Sequence, residues 1–319
     1  MLWNEKPYHS LDFEMKKQYG QKIYKLALDG GMTCPNRDGT LGNNGCIFCS
    51  GGGSGEFAES IGAHSSITDQ IEAAKEKVSR KMKPEEGRFI AYFQSYTNTY
   101  APVSYLRRLF MEAISHPDVA ILSIATRPDC LSLDILMLLK ELNQQKPVWV
   151  ELGLQTMHES TARYIRRGYS LDVFSDAYHQ LKSIGITVIT HVILGLPGED
   201  KEMIFDTIRH LSRLNSQESD EGDGIKLQLL HILKDTDLAL EYEKGLIPVY
   251  TLEEYIDLVI DCIALLPKDM VIHRISGDGP KELLLAPLWS GNKRLVLNSL
   301  AKRFKERGTC QGDKYLESN

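Results

Sequence analysis

Nowhere do the 319 residues offer about 18 uninterrupted apolar positions, so a membrane-spanning helix is not expected. The opening segment Met1-Leu-Trp-Asn-Glu-Lys-Pro7 lacks the apolar run of an export signal, which makes the cytoplasm the expected location. Cysteine is scarce, with six in the chain, and without an export signal a disulfide framework is not expected. Neither a fixed-period repeat nor a low-complexity tract is present. An overall positive charge is lacking too: the net charge of −6 argues against a protein that coats nucleic acid indiscriminately. The rest is ordinary for a globular protein, with 42% hydrophobic and 25% charged residues.

Strand-like and helix-like segments alternate. Apolar, β-branched runs at Arg88–Ser95, Val119–Thr126, Val148–Leu154, Thr187–Leu194, Lys226–Ile232 and Met270–Ile275 read as buried strands, preceded by Lys22–Asp29. Amphipathic stretches lie between them, at Thr68–Met82, Val103–Ile114, Leu133–Asn143, Leu171–Ile184 and Lys201–Leu214. Repeated β-α units imply a parallel sheet, and this many in one chain predict an α/β fold, a partial (β/α)6-type barrel with a C-terminal helical extension. The expected division is a barrel over residues 1–280 and a basic extension over 281–319. The polar stretch Gln217–Gly224 reads as a surface loop.

Three of the cysteines, Cys34, Cys46 and Cys49, share one glycine-rich loop directly after the first strand-like run, spaced C-x11-C-x2-C, with Phe48 just before the last. Structural zinc normally closes with four protein ligands. A [4Fe–4S] cluster has four irons, and three thiolates leave one of them open. Zinc with Cys130 or Cys310 as fourth ligand is the competing reading; Cys130 and Cys262 otherwise read as buried free thiols.

In a barrel, functional groups gather at the C-terminal ends of the strands. The cysteine loop follows the first strand, Gln94-Ser-Tyr-Thr-Asn-Thr-Tyr100 the second, and Thr126-Arg-Pro-Asp129 the third. Glu151 lies inside the fourth, where a carboxylate is costly unless it is bound to a ligand or paired, with Arg127 or Arg167 as candidate partners. His191 lies inside the fifth, as a catalyst or as a hydrogen-bonded interior group.

Together these residues resemble the radical S-adenosylmethionine superfamily, over roughly residues 20–280. The spacing and Thr126-Arg-Pro-Asp129 are similar to the YtqA/YhcC group. Thr126-Arg-Pro-Asp129, Val150-Glu-Leu-Gly-Leu-Gln155 and Leu194-Gly-Leu-Pro197 also resemble the radical domain of the Elongator catalytic subunit. The resemblance implies a [4Fe–4S] cluster on Cys34, Cys46 and Cys49, with S-adenosylmethionine on its open iron. It implies Phe48, Glu151, Gln155 and Arg167 as cofactor contacts, Arg167 gripping the carboxylate. It implies reductive cleavage of the cofactor to a 5′-deoxyadenosyl radical and a one-electron donor of flavodoxin or ferredoxin type. Departures are a first cysteine spacing eight residues longer than C-x3-C, Gln94-Ser-Tyr-Thr-Asn98 in place of a Gly-Gly-Glu-type segment, and Ala125 before Thr126 where the Elongator relative has glutamate. No acetyltransferase-sized domain follows, so acetyl-group chemistry is not implied.

The substrate expected from this resemblance is tRNA, with the aminomethyl-type substituent of a wobble uridine as the target and Tyr96 and Tyr100 as stacking candidates. Tyr96, Tyr100, Asp129 and His191 are the candidate catalytic residues. From Lys281 onward eight basic residues face four acidic ones, giving +4 against −10 for the rest: either a polyanion-binding face or a solvated helix. The alternatives are a radical enzyme acting on a small molecule and a zinc-binding, non-catalytic protein.

Overall fold

The computed structural model describes residues 2–53, 55–83, 86–218, 223–277 and 279–315, without the side chains of 216–218. Its strands are β1 (Tyr24–Leu28), β2 (Phe89–Phe93), β3 (Val119–Thr126), β4 (Val148–Gln155), β5 (Thr187–Leu194), β6 (Gly224–Leu229), β7 (Ile232–Leu233), β8 (Val271–Arg274) and β9 (Leu284–Ala286). Its helices are α1 (Leu11–Tyr19), α2 (Ile67–Ser79), α3 (Val103–Ser115), α4 (Leu133–Asn143), α5 (Glu159–Tyr164), α6 (Leu171–Ser183), α7 (Lys201–Glu218), α8 (Asp237–Glu243), α9 (Leu252–Ala264) and α10 (Lys293–Arg307). Seven strands form one sheet in the order β1-β2-β3-β4-β5-β6-β8, every neighbouring pair parallel. Consecutive order in a twisted parallel sheet gives an open barrel with helices on its convex side. The expected partial barrel is therefore present, with seven strands.

Side chains alternate across each strand, so each has a helix-facing row and a concave row. Val148, Val150, Leu152 and Leu154 of β4 join the main core beneath the helices, as do Ile225, Leu227 and Leu229 of β6. The concave rows form layers. At the N-terminal end Ile90, Ile121, Trp149 and Ile189 pack with Met15 of α1, which plugs that end. Above them sits a polar layer, and above that a cavity. A second apolar cluster, including Ile47, Ile165, Ile193, Leu196 and Leu230, lies at the cavity's edge.

One expectation needs correction. The stretch Gln217–Gly224 is not one loop: α7 runs to Glu218, residues 219–222 lie outside the described residues, Asp223 is buried, and Gly224 opens β6. Asp223 accepts from Lys182 Nζ (2.8 Å), Val188 N (3.0 Å) and the Tyr178 hydroxyl, so three partners satisfy a carboxylate that composition alone marks as exposed. The basic end of the chain is also less available than its charge implies. Arg303 grips Asp257 through two bonds of 2.8 Å, Arg307 Nη2 reaches Asp261 at 2.6 Å, and Lys314 Nζ reaches the same carboxylate at 2.8 Å. These pairs seat α10 on α9, where Val296, Leu300 and Phe304 are buried. Among the described residues, no helix is long and apolar enough to cross a membrane.

Candidate functional site

After β1 the chain enters a knot of turns. Arg37 N donates to Cys34 O (2.8 Å), Leu41 N to Pro35 O (2.8 Å), and Gly45 N to Asn36 O (2.8 Å). The hydrogen bond from Cys49 N to Cys46 O (3.0 Å) closes the second half. The result sets Cys34, Cys46 and Cys49, with Phe48, on one wall of a cavity of about 260 Å³ at the C-terminal ends of the strands. Burial pushes the Cys46 thiol up to about 12 and raises Cys49, and the neighbouring thiols add to both shifts. Buried thiols like Cys46 and Cys49 are held as thiolates only beside strong positive charge, as in a metal site.

The arrangement favours a cluster over a single zinc ion. Tetrahedral Zn–S bonds of about 2.3 Å would bring the sulfurs within about 4 Å of one another. Among the described residues, the only group of three or more ligand atoms lying mutually within 4.8 Å belongs to Glu72, His116 and Asp118, an outer-surface group in which Lys75 pairs with both acids. Neither candidate fourth ligand joins the wall. The Cys130 thiol points to Asp129 Oδ1 (3.9 Å) and does not line the cavity. Cys310 donates to Asp313 Oδ1 (3.1 Å), next to Gln311, whose amide is tied to Pro267 O and Met270 O near the start of β8. Cys262 is a buried free thiol, and Cys130 is partly buried.

The polar layer below the cavity converges on Glu151. Its Oε1 accepts from Lys25 Nζ (2.5 Å) and Ser123 Oγ (3.0 Å), and its Oε2 from His191 Nε2 (2.8 Å) and Lys226 Nζ. The partners are thus Lys25, Lys226 and His191, and the expected Arg127 or Arg167 pairing is not formed. Although burial alone would raise it, the Lys226 and Lys25 ammonium groups hold the Glu151 carboxyl well below its ordinary value. Burial pushes both lysines below theirs, Lys226 strongly. The two ammonium groups flank the Tyr92 ring, at 4.8 and 4.7 Å from its centroid. His191 is pushed down to about 4, by burial first and the Lys226 charge second. A neutral ring fits its contacts, with Nε2 donating to Glu151 and Nδ1 accepting from Gln228 (3.2 Å).

Gln155 stands where β4 breaks register at a bulge, with φ +66. Its side chain lines the cavity and its Oε1 is buried without a partner. Gly153 makes room for it: a Cβ there would sit 3.0 Å from Gln155 Nε2. Arg167 holds this kink from behind. Its five N–H groups are taken up by Leu154 O, Thr156 O, Tyr169 O (twice) and Glu159 Oε1, at 2.5–3.2 Å. The guanidinium expected to grip a ligand's carboxylate is fully engaged with the protein.

The four catalytic candidates separate. Tyr96 and His191 line the cavity; Tyr100 and Asp129 do not. Tyr100 pairs with Thr40 Oγ1 (2.8 Å), and Asp129 forms a two-point ion pair with Arg127 (2.9 and 2.7 Å). Tyr96 has φ +56 and donates to Gly51 O (2.5 Å). Sequence reasoning missed Lys25, Lys226 and Arg37. The first two carry the same signal as Glu151, a charge at a concave position of an otherwise apolar strand.

Comparison with known proteins gives the family. The sequence pattern of the Radical SAM superfamily matches residues 39–211, and that of the Radical_SAM C-terminal domain matches 222–306; the chain belongs to the radical S-adenosylmethionine family. Within it, the chain is similar to YtqA of Bacillus subtilis, 44% identical over 308 residues that cover 97% of this chain and 92% of that protein. YhcC of Escherichia coli K12 is 36% identical over 296 residues, 92% and 91% of the two chains. Elongator complex protein 3 of Schizosaccharomyces pombe is 29% identical over 190 residues, 59% of this chain but 33% of that one. An archaeal Methanocaldococcus infernus Elp3 structure shares the fold, with TM-score 0.65 and 19% identity. It covers 91% of this chain, which spans 64% of that one.

The family works with a [4Fe–4S] cluster and S-adenosylmethionine. The residues fit both: three thiols form one wall, and Gln155, whose side-chain oxygen is buried without a partner, lines the same cavity.

Proposed function

We propose that this radical S-adenosylmethionine enzyme remodels the aminomethyl-type substituent of a wobble uridine in tRNA, in the cytoplasm, fed by a one-electron donor of flavodoxin or ferredoxin type. The observation that carries the enzyme reading is the three-thiol wall facing a polar chamber inside a partial barrel. When bound, the cluster supplies the electron that splits S-adenosylmethionine into methionine and a 5′-deoxyadenosyl radical, which takes a hydrogen from the substrate. Cys34, Cys46 and Cys49 would hold the cluster. Gln155 offers an acceptor to the cofactor, Phe48 a ring beside it, and Arg167 positions Gln155 by fixing the bulge. Glu151 acts from the polar layer, holding Lys25, His191 and Lys226 in place. The apolar edge formed by Ile47, Ile165, Ile193 and Leu230 keeps water from the cavity.

The tRNA reading is supported by the resemblance to the Elongator catalytic subunit, and Tyr96 is the stacking candidate that lines the cavity. We assign the cofactor chemistry to residues 1–280. Residues 281–319 are assigned to an extension, in which β9 pairs with β7 beside the cavity.

The test has two arms. Nucleosides from a deletion strain, compared with the parent by mass spectrometry, are expected to show an altered wobble uridine. Anaerobically reconstituted protein with tRNA from that strain, S-adenosylmethionine and dithionite is expected to restore the parental nucleoside and release 5′-deoxyadenosine. Unaltered nucleosides together with 5′-deoxyadenosine formation would move the substrate to a small molecule.

A further inference from the structure

The first cysteine spacing is eight residues longer than the common C-x3-C pattern, and two residues at the start of this loop meet the cysteines. Asn36 and Arg37 face the thiols. Asn36 is buried; its Nδ2 lies 3.5 Å from Cys46 Sγ and also donates to Arg166 O (2.8 Å) and Arg167 O (3.3 Å). Gly168, at φ +86, leaves its place open, since a Cβ there would sit 2.8 Å from Asn36 Oδ1. Arg37 Nη2 donates to Cys49 O (2.8 Å) and Ser50 O (2.6 Å), and Gly45 leaves room for the guanidinium, with a Cβ there falling 2.9 Å from its Nε. Both acceptors of Nη2 are main-chain carbonyls; the Glu56 carboxylate, which also lines the cavity, is bonded to Ser50 Oγ. The turns that close the loop hold Arg37 on the cavity's cysteine wall and Asn36 buried behind it, against Cys46.

We infer that the long Cys34–Cys46 loop is a redox-tuning element. Arg37 sets a fixed positive charge beside Cys49, and Asn36 donates an N–H to Cys46 Sγ, so that together they raise the reduction potential of the cluster. The reason is electrostatic. Reduction adds one electron at the cysteine wall, taken from an external one-electron donor, and no bond is made or broken. A cation and an N–H donor at the sulfurs favour the more negative state, and charge and hydrogen bonding to the sulfurs are established levers on such potentials. The inference rests on the cluster assignment alone and is independent of the RNA reading.

The test is a potentiometric titration of the reconstituted full chain, followed by the electron paramagnetic resonance of the reduced cluster. Arg37→Gln is expected to bind as much iron as the parent and to titrate at a more negative potential. The expected change is about tenfold in the reduced-to-oxidised ratio at fixed potential, equivalent to about 59 mV for one electron. Arg37→Lys, which keeps the charge, is expected to recover most of that shift. An unmoved midpoint in Arg37→Gln with full iron content overturns the inference. Loss of iron in both variants also overturns it, because Arg37 is then a scaffold of the loop. Cys34→Ala is the control: if that variant kept its iron, the cluster assignment itself would be the part in error.

Discussion

Replacing Glu151 by glutamine keeps the shape of the side chain and removes its charge. In the structure the carboxylate is completely buried and both oxygens accept from two donors each. A glutamine amide nitrogen must take one of those two positions. There it would face either Lys25 and Ser123 or His191 and Lys226, donor against donor. Two buried ammonium groups would also lose their counter-charge. Removing one partner of a buried ion pair costs about 3–5 kcal/mol, a large share of the roughly 5–15 kcal/mol that holds a domain together. Equilibrium urea unfolding of the chain without cofactor, followed by far-ultraviolet circular dichroism, measures this loss. Lys226→Met and the double variant complete a cycle. The double variant is expected to be less destabilised than the two single losses added, with a coupling of about 0.5–3 kcal/mol, because the two groups touch. A Glu151→Gln protein within about 1 kcal/mol of the parent would refute the reading of the polar layer as a charge-compensated unit.

Cys34→Ala, Cys46→Ala and Cys49→Ala are each expected to lose the roughly four irons of the cluster, while Cys130→Ala, Cys262→Ala and Cys310→Ala keep them; iron analysis after anaerobic reconstitution decides. Gln155→Leu removes the unpartnered acceptor and is expected to weaken S-adenosylmethionine binding by about 1.5–3 kcal/mol, read by equilibrium dialysis with the iron content unchanged. Stability is expected to fall as pH drops from about 6.5 toward 4. His191 titrates near 6.5 when unfolded but is pushed down to about 4 in the fold, so only the unfolded chain takes up the proton in that window. The slope is about 1.4 kcal/mol per pH unit for this group. His273, also pushed down by burial, adds to it. Urea unfolding across that range is expected to show a shallower dependence for His191→Gln, and an unchanged slope would mean that His191 is not the buried neutral group described.

Much of the architecture was legible before any coordinates. Repeated β-α periodicity with apolar strands leaves a parallel sheet as the arrangement that buries both faces, and three cysteines in the first strand-to-helix loop must then fall at the barrel's mouth. Gln155 was legible by resemblance, whereas its φ and orphaned oxygen came only from the bulge in β4. The Gln217–Gly224 stretch misled because composition reports polarity and not partners: Asp223 is buried on the strength of Tyr178, Lys182 and Val188, which lie 35–45 positions away.

The sequence by itself determined the order of elements and the three-cysteine loop at the barrel's mouth, because both depend on local spacing or chain order; the class of cofactor followed from the family resemblance. Tertiary structure decided which charges meet. Glu151 could be marked as needing a partner, but Lys25 lies 126 positions before it and Lys226 lies 75 after it; only the curvature of the sheet brings both onto one carboxylate. Arg167 and the basic end of the chain follow the same rule. An arginine's donors bind whichever acceptors the fold brings within reach. For Arg167 these are the carbonyls behind the β4 bulge, and for Arg303 and Arg307 the acids of α9. Distances between residues remote in sequence fix those outcomes, and side-chain chemistry alone does not.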